Sequence, residues 1–499
     1  MLAVFAALVL APLLYLPGFL LSLAWIGPAQ PPDRLERHFE RVLGGALLNG
    51  WLALTLAELG VFSAALHLVL LALACAACAL VAWRRGALRR IAQARNALGG
   101  RAARGEALLF GAALLLFMLL VARPFEVVLG ARDAGVYAST GFAIARSGGI
   151  LQHDALVQQI AADESSPDPV LSAAAAQART NLLGSQPASR YLATRLRFAG
   201  FLINDGDLAS GTVPPQFFHL YPAWVALLAS LLGLRGGLLA TSLCGILGVW
   251  GVGMLGRRLA GRWVGLLGML FLALNGAQVW FSRYSTSEAC AQFLSFAALY
   301  GFAAMQPAGD EQSDARQSFA GLLAGVAAGQ LALTRIDFFP IVIPFLAYIG
   351  YMALLRRWSR PILALALGMG AMLLQAMAHI LTISRAYFFD LIYARLQDQS
   401  ALAATLAWPF LTPGLRNTFM TIERSAALRA PYRLPLEIAI VIVLVLAFLL
   451  LRRDGRPQRW LEQRVLRWQR WLVGCGALAV LLLGVYGYLI RPQILNGPV

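Results

Sequence analysis

Runs of about twenty apolar residues recur from one end of this 499-residue chain to the other. A run of that length is what an α-helix needs to cross a hydrocarbon core about 30 Å thick. Backbone polar groups find no water inside such a core, so only helices and closed barrels can span it. Long unbroken runs fit helices. About twelve spans follow, near 1–25, 42–59, 62–83, 106–124, 236–255, 263–281, 288–305, 318–334, 338–355, 361–382, 435–452 and 471–490. Charged residues make up 13% of the chain against 59% apolar, about half the charged share of an ordinary soluble domain. The first run lacks a basic leader and is long for a signal peptide, so it counts as a span. The expected fold is an all-α polytopic integral membrane protein.

The net charge of +17 does not point to nucleic acid, because the basic residues sit in short loops between spans, as cytoplasmic loops do. All of the 41 basic residues are arginine. Loop 84–104 carries Arg84, Arg85, Arg89, Arg90, Arg95, Arg101 and Arg104 without an acid, and loop 452–470 carries seven arginines against Asp454 and Glu462. Placing both in the cytoplasm, with Arg34, Arg37 and Arg41, puts both termini and the long polar loop 125–217 outside. Phe218–Leu234 is apolar enough to be a span. Counting it would turn Arg257, Arg258 and Arg262 outward, so it is read as an interfacial helix on the outer face. The cysteines lie in or beside apolar spans, including Cys75 and Cys78 at CxxC spacing, and imply neither a disulfide framework nor a zinc site.

The polar loop opens at Ala131-Arg132-Asp133-Ala134-Gly135-Val136-Tyr137-Ala138. A carboxylate where a membrane helix surfaces is costly unless something uses or pairs it. Helix is expected over Ala134–Arg146, ended by Gly148-Gly149, and again after the breaker Ser165-Ser166-Pro167-Asp168-Pro169. A second outer loop, about 384–434, is aromatic and basic, and its part 398–412 could dip into the membrane. Once topology is drawn, four outer-facing groups stand out: Asp133; His219 and Tyr221; Glu288, after Arg283-Tyr284-Ser285-Thr286-Ser287; and Arg335 with Asp337. Singly, each has a structural reading. Asp133 could pair with Arg132 or cap its helix, Glu288 suits a helix N-terminus, Arg335 could snorkel to Asp337, and His219 could be an interfacial side chain. Their convergence on one face from distant parts of the chain argues for chemistry.

This pattern resembles the GT-C superfamily of membrane glycosyltransferases, particularly the protein O-mannosyltransferase and lipid A aminoarabinose transferase group. That group opens its first long outer loop with Asp-Glu-x-x-Tyr-Ala. Here Asp133, Tyr137 and Ala138 match, and Ala134 replaces the second acid. Pro214-Pro215 and His219-Leu220-Tyr221-Pro222 are similar to its Pro-rich start of a membrane-lying helix. Tyr284 and Glu288 look like its Tyr and following acid. Gly321–Thr334 with Arg335 resembles its Gly-rich span ending in Thr-Lys. The resemblance covers about residues 106–360. The chain then divides into extra spans at 1–105, a catalytic core at 106–383 including the loop 125–235, and a C-terminal part at 384–499.

The resemblance implies transfer of a sugar from a polyprenyl-phosphate donor to a glycan, lipid or protein acceptor of the cell envelope. The expected setting is the outer face of a bacterial cytoplasmic membrane. Asp133 would be the general base, with Glu288 orienting the acceptor or sharing a divalent metal (Mg or Mn) with it. Arg335 and Arg283 would hold the donor phosphate, and Arg132, Tyr137, His219, Tyr221, Tyr284 and Asp337 would line the substrate site. No cofactor is required by the residues themselves. The rival reading is a transporter or flippase, whose folds often carry repeated halves and midplane sites; no such repeat is visible here.

Overall fold

The computed structural model describes residues 2–26, 34–87, 101–130, 133–183, 196–198, 200–203, 208–306, 314–385 and 387–388, with positions 471 and 478 besides. Arg132, segment 398–412, the arginine-rich stretch 452–470, the expected span 435–452 and nearly all of 471–490 lie outside the described residues. The described chain is mostly helical.

Its helices are α1 (Leu2–Ile26), α2 (Arg34–Glu58), α3 (Ala64–Arg84), α4 (Arg101–Val121), α5 (Asp133–Ser147), α6 (Ala155–Glu164), α7 (Pro169–Leu183), α8 (Leu220–Ala260), α9 (Arg262–Leu274), α10 (Gly276–Phe281), α11 (Glu288–Met305), α12 (Asp314–Leu331), α13 (Phe339–Leu354) and α14 (Arg360–Thr382). Each expected span that falls on described residues coincides with one of them, except that 263–281 breaks in two. The break is local chemistry: Asn275 is extended and its side chain caps α10 by accepting from the Gln278 N–H, a favoured helix start. Among the described residues, five helices are long and apolar enough to cross a membrane: Leu8–Ile26 within α1, α3, α8, α11 and α14. Outward-turned Leu68, Val69, Leu73, Leu119, Phe271, Leu367 and Leu374 form apolar surface of the kind a soluble monomer rarely exposes. These features are those of an all-α membrane protein.

The chain separates into two compact units, Met1–Leu346 with Ser359–Thr405, and Ala347–Trp358 with Leu406–Val499. In the first, α12 packs most extensively on α14, α11 on α8 and α12, α1 on α2, and α9 and α5 on α8. The α12–α14 seam depends on Gly321, Gly325 and Gly329, one per turn. A Cβ on Gly321 would strike the Pro361 carbonyl, one on Gly325 the Leu365 carbonyl, and one on Gly329 the Met372 side chain. Small residues at this spacing let two backbones touch, a packing mode that suits helices in lipid. In the second unit the described residues are the end of α13 and its turn, with Arg356 in the left-handed region at φ 56°, and the single positions Trp471 and Leu478.

The segment expected to lie on the membrane surface forms the first part of α8. Gly233, at φ 76° and ψ 180°, breaks that helix. Leu220 through Leu228 are buried on every face, so the first half of the segment is enclosed by protein, while Leu234 at its end is 64% exposed. The sequence Leu-Tyr-Pro-Ala-Trp-Val-Ala-Leu-Leu has no polar face to turn to water, and a helix apolar all round is a buried helix.

The polar loop folds as expected around α5, which Gly148 ends at φ 81°, and α7. It also holds strands too short to leave a periodic trace. β1 (Gln152–His153) pairs antiparallel with β4 (Thr212–Val213), and β2 (Leu196–Phe198) with β3 (Phe201–Leu202). Val157, Ile203, Leu208 and Val213 make its small core.

Candidate functional site

Three helix ends meet where the site residues were expected. α11 begins at Glu288, the turn after α12 carries Arg335 and Asp337, and α5 begins at Asp133. One turn along α5, the Tyr137 hydroxyl accepts a hydrogen bond of 2.9 Å from Ser287 Oγ, which joins α5 to the residue before Glu288. Arg335 Nη1 donates to Glu288 Oε1 at 2.6 Å, while Nε and Nη2 donate to Asp337 at 2.7 and 3.1 Å. Thus Tyr137, Ser287, Glu288, Arg335 and Asp337 form a continuous chain along sequence and hydrogen bonds, and Asp133 lies one helical turn before Tyr137 on α5.

The guanidinium at its centre has five N–H groups. Three are taken, two by Asp337 along one edge and one by Glu288. The remaining two leave room for a further planar oxyanion. Burial pulls the Arg335 pKa down, but the hydrogen bond to Asp337 and the charges of Glu288 and Asp337 outweigh it, and the net shift is upward. Arg335 stays cationic. Glu288 Oε2 is buried without a hydrogen-bond partner, as are the hydroxyls of Ser285, Thr286 and Thr140. Buried polar atoms are rarely left so, and this turn therefore offers unused capacity beside the cation.

Aromatic rings wall the site. Tyr137 stacks on Phe217 at 4.6 Å between centroids and meets Tyr221 edge-on at 5.6 Å. Phe217 in turn meets Tyr387 at 5.3 Å. Phe217 has φ 75°, a conformation a bulky residue holds only where its surroundings impose it. Its carbonyl accepts from Ser384 Oγ at 3.0 Å. Burial raises the Tyr137 hydroxyl well above its ordinary pKa, so it is a neutral hydrogen-bonding group here. The Tyr221 hydroxyl is bonded to Thr241 within the protein.

Two expected residues belong to a neighbouring cluster. Tyr284 packs with Trp280 and Phe125, and the Arg283 guanidinium lies 4.4 Å over the Phe125 ring while its Nε donates to the Arg123 carbonyl at 2.7 Å. These contacts tie the end of α4 to the turn before α11. His219 is fully buried and bonded to His379. His379 and its partner Glu58 were missed by the sequence reasoning. Both lie at the ends of spans on the side assigned to the outside, so the logic that found Glu288 applies to them as well. Among the described residues no group of three or more His, Cys, Asp or Glu is placed to hold a metal, and the pair Asp133 and Glu288 stands as the only one the sequence offered.

Compared with known proteins, the chain matches no family model, no curated protein and no solved structure.

Proposed function

We propose that the protein is a membrane glycosyltransferase that moves a sugar from a polyprenyl-phosphate carrier to a hydroxyl-bearing acceptor of the cell envelope. Its site would face the outside of a bacterial cytoplasmic membrane, on a GT-C-like core within about twelve spans. The observation that carries this reading is the guanidinium of Arg335, held between Glu288 and Asp337 with two N–H groups to spare, joined through Ser287 and Tyr137 to the helix that Asp133 opens.

In this reading the lipid tail keeps the donor in the bilayer and its phosphate meets the spare edge of Arg335. The guanidinium stabilises the negative charge that grows on the leaving phosphate, where prearranged donors act most strongly. Asp133 takes the acceptor hydroxyl proton as the oxygen attacks the anomeric carbon with inversion. Glu288 fixes Arg335 through one oxygen and would offer the other to an acceptor hydroxyl; were a Mg or Mn ion bound, Asp133 and Glu288 would be the carboxylates to hold it and it would supply further charge stabilisation. Tyr137, His219, Tyr221 and Asp337 shape the pocket. Arg283 would assist Arg335 with the donor phosphate, and Tyr284 and Arg132 would be among the substrate contacts.

The test is sugar release from a panel of polyprenyl-phosphate sugars by purified protein in nanodiscs, with membrane extract as acceptor source and Asp133→Asn in parallel. Turnover by the wild type and none by the variant supports the reading and names the donor. Movement of intact substrate across proteoliposomes without release would favour the transporter instead.

A further inference from the structure

At the end of the first unit where α2 begins and α1 and α3 finish, one arginine is left out of the ion pairs. α1 packs on both α2 and α3, while α2 and α3, joined by the turn 59–63, touch each other little. α1 therefore floors a gap between them. Gly18 brings α1 against α2, since a Cβ there would strike the Arg41 carbonyl. From that crossing the Arg41 side chain turns over α1. Its guanidinium lies 4.6 Å from the centre of the Phe19 ring and 5.7 Å from that of Tyr15, and Nη1 donates to the Tyr15 hydroxyl at 2.6 Å. That hydroxyl is also 2.8 Å from His38 Nδ1, so the ring that holds Arg41 is itself held.

Among the described residues no carboxylate answers this cation. Glu36 and Glu40, on another face of α2, are taken by Arg257, Arg258 and Arg316. Arg37, one turn before Arg41, adds a second positive charge on its side. An arginine stays charged at any ordinary pH, and a charge where a helix enters hydrocarbon is costly unless something pairs it. Arg41 is the last charge before the expected span 42–59. Two ring faces and a phenol offset part of that cost, but none of them is an anion. A guanidinium has five N–H groups, and here one is used among the described residues. Nε is buried without a hydrogen-bond partner, so the access that this half-buried side chain keeps is at its Nη end.

We propose that Arg41 binds the phosphodiester of an anionic phospholipid seated in the gap between α2 and α3. Two phosphate oxygens accept from the Nη end of the guanidinium, whose planar fork suits them, and Tyr15 fixes the direction of the fork. Basic pockets between membrane helices recognise lipid headgroups in this way. The surroundings select a lipid over a free ion. Leu16 on α1, next to Tyr15, and Leu80, Val81 and Trp83 in the last turns of α3 are 40–60% exposed, which is surface for acyl chains beside the phosphate. A free phosphate would gain nothing from it. The bound lipid would hold α2 and α3 together across α1. None of this rests on the transferase reading, which concerns the other end of the helices.

The test uses the full-length protein in detergent, titrated with dioleoylphosphatidylglycerol or dioleoylphosphatidylcholine and read by native mass spectrometry. The wild type should retain one phosphatidylglycerol in preference to phosphatidylcholine. Arg41→Gln should weaken that lipid about tenfold to a hundredfold, the effect of losing hydrogen bonds between charged groups, and Tyr15→Phe should weaken it less. Arg262→Gln removes the same charge from an exposed arginine at the start of α9 and should leave the affinity unchanged. Should Arg41→Gln fail to fold, a photoactivatable phosphatidylglycerol on the wild type must still form its adducts on α1 near Tyr15 and on the last turns of α3. Equal retention of the two lipids, unchanged affinity in Arg41→Gln or an equal loss in Arg262→Gln overturns the lipid site. So does displacement by millimolar inorganic phosphate, or adducts confined to other helices.

Discussion

The first unit gathers charge at two ends of its helices, and the two clusters are built differently. At the end where α2 and α12 begin and α8 finishes, Glu36, Glu40 and Glu106 meet Arg257, Arg258 and Arg316 in five ion pairs between 2.6 and 3.4 Å. Their side chains are only 4–16% exposed, and the Tyr300 hydroxyl donates to Glu40. At the other end, Arg335, Glu288 and Asp337 are 29%, 40% and 61% exposed, with a spare cation edge and unpartnered oxygens around them. The first cluster bonds four helices to one another and leaves these groups mutually paired. The second is open to a visitor. Ion pairs alone therefore do not mark a site; unused hydrogen-bonding capacity beside a held charge does.

The comparison breaks most visibly on turnover. Asp133→Asn keeps the shape of the side chain and removes its basicity, and a positioned base is worth about 10²–10⁴-fold in rate. We expect a loss of that order with unchanged folded yield, measured as sugar release per mole of monodisperse protein. Wild-type rates in the variant would take the base role from Asp133. The closed end should respond in the opposite sense. Arg316→Ala leaves Glu36 and Glu40 without their shared partner, and removing one member of a buried pair costs about 3–5 kcal/mol. The variant should lose thermal stability and yield, while the surviving folded fraction turns over normally. A stable but inactive Arg316→Ala would show that the closed cluster takes part in function.

How much of this was legible in the sequence depends on what kind of signal each feature leaves. Apolar runs mark α11 and α14 almost to the residue, because burial in lipid demands about twenty apolar residues in sequence. The helix from Asp133 and its stop at Gly148 follow from local rules. The enclosed start of α8 was read as interfacial, although its lack of any polar face already argued for burial. Glu36, Glu40 and Arg316 pair across more than 270 residues, and no local pattern announces such partners. The same distance hid Glu58 from His379. Asp133, Glu288 and Arg335 were singled out because each is a charge set near the outer end of an apolar span; Ser287, which ties Tyr137 to the start of α11, is an ordinary serine before a helix.

A middle-sized effect separates holding from binding at the open end. Arg335→Ala removes hydrogen bonds from a charged donor, each worth about 1.5–3 kcal/mol where its partner is ionised. Asp337 is 61% exposed and Glu288 40%, so the fold should survive with some loss of stability from the half-buried Glu288, and the main loss should fall on the donor. Affinity for a polyprenyl-phosphate sugar should drop about tenfold to a hundredfold by the same arithmetic. Unchanged affinity would return Arg335 to a purely structural pairing with Asp337.

The smallest change tests the joint between α5 and α11. Tyr137→Phe keeps the ring stacked on Phe217 but deletes the oxygen that accepts from Ser287. A neutral hydrogen bond contributes about 1 kcal/mol net, and a buried hydroxyl left without a partner costs about 1–3 kcal/mol. The variant should therefore lose about 1 kcal/mol or somewhat more. Ser287→Ala leaves the buried Tyr137 oxygen alone and should cost a similar amount. Combined, the two changes remove both partners, and the double variant should be less destabilised than the sum of the singles, by the coupling a double-mutant cycle measures. Additive losses would mean that the bond carries no energy and that the ring stack alone sets α5 against α11. Coupling in stability together with a fall in turnover would make this joint part of what positions α5, and with it Asp133, for the proposed reaction.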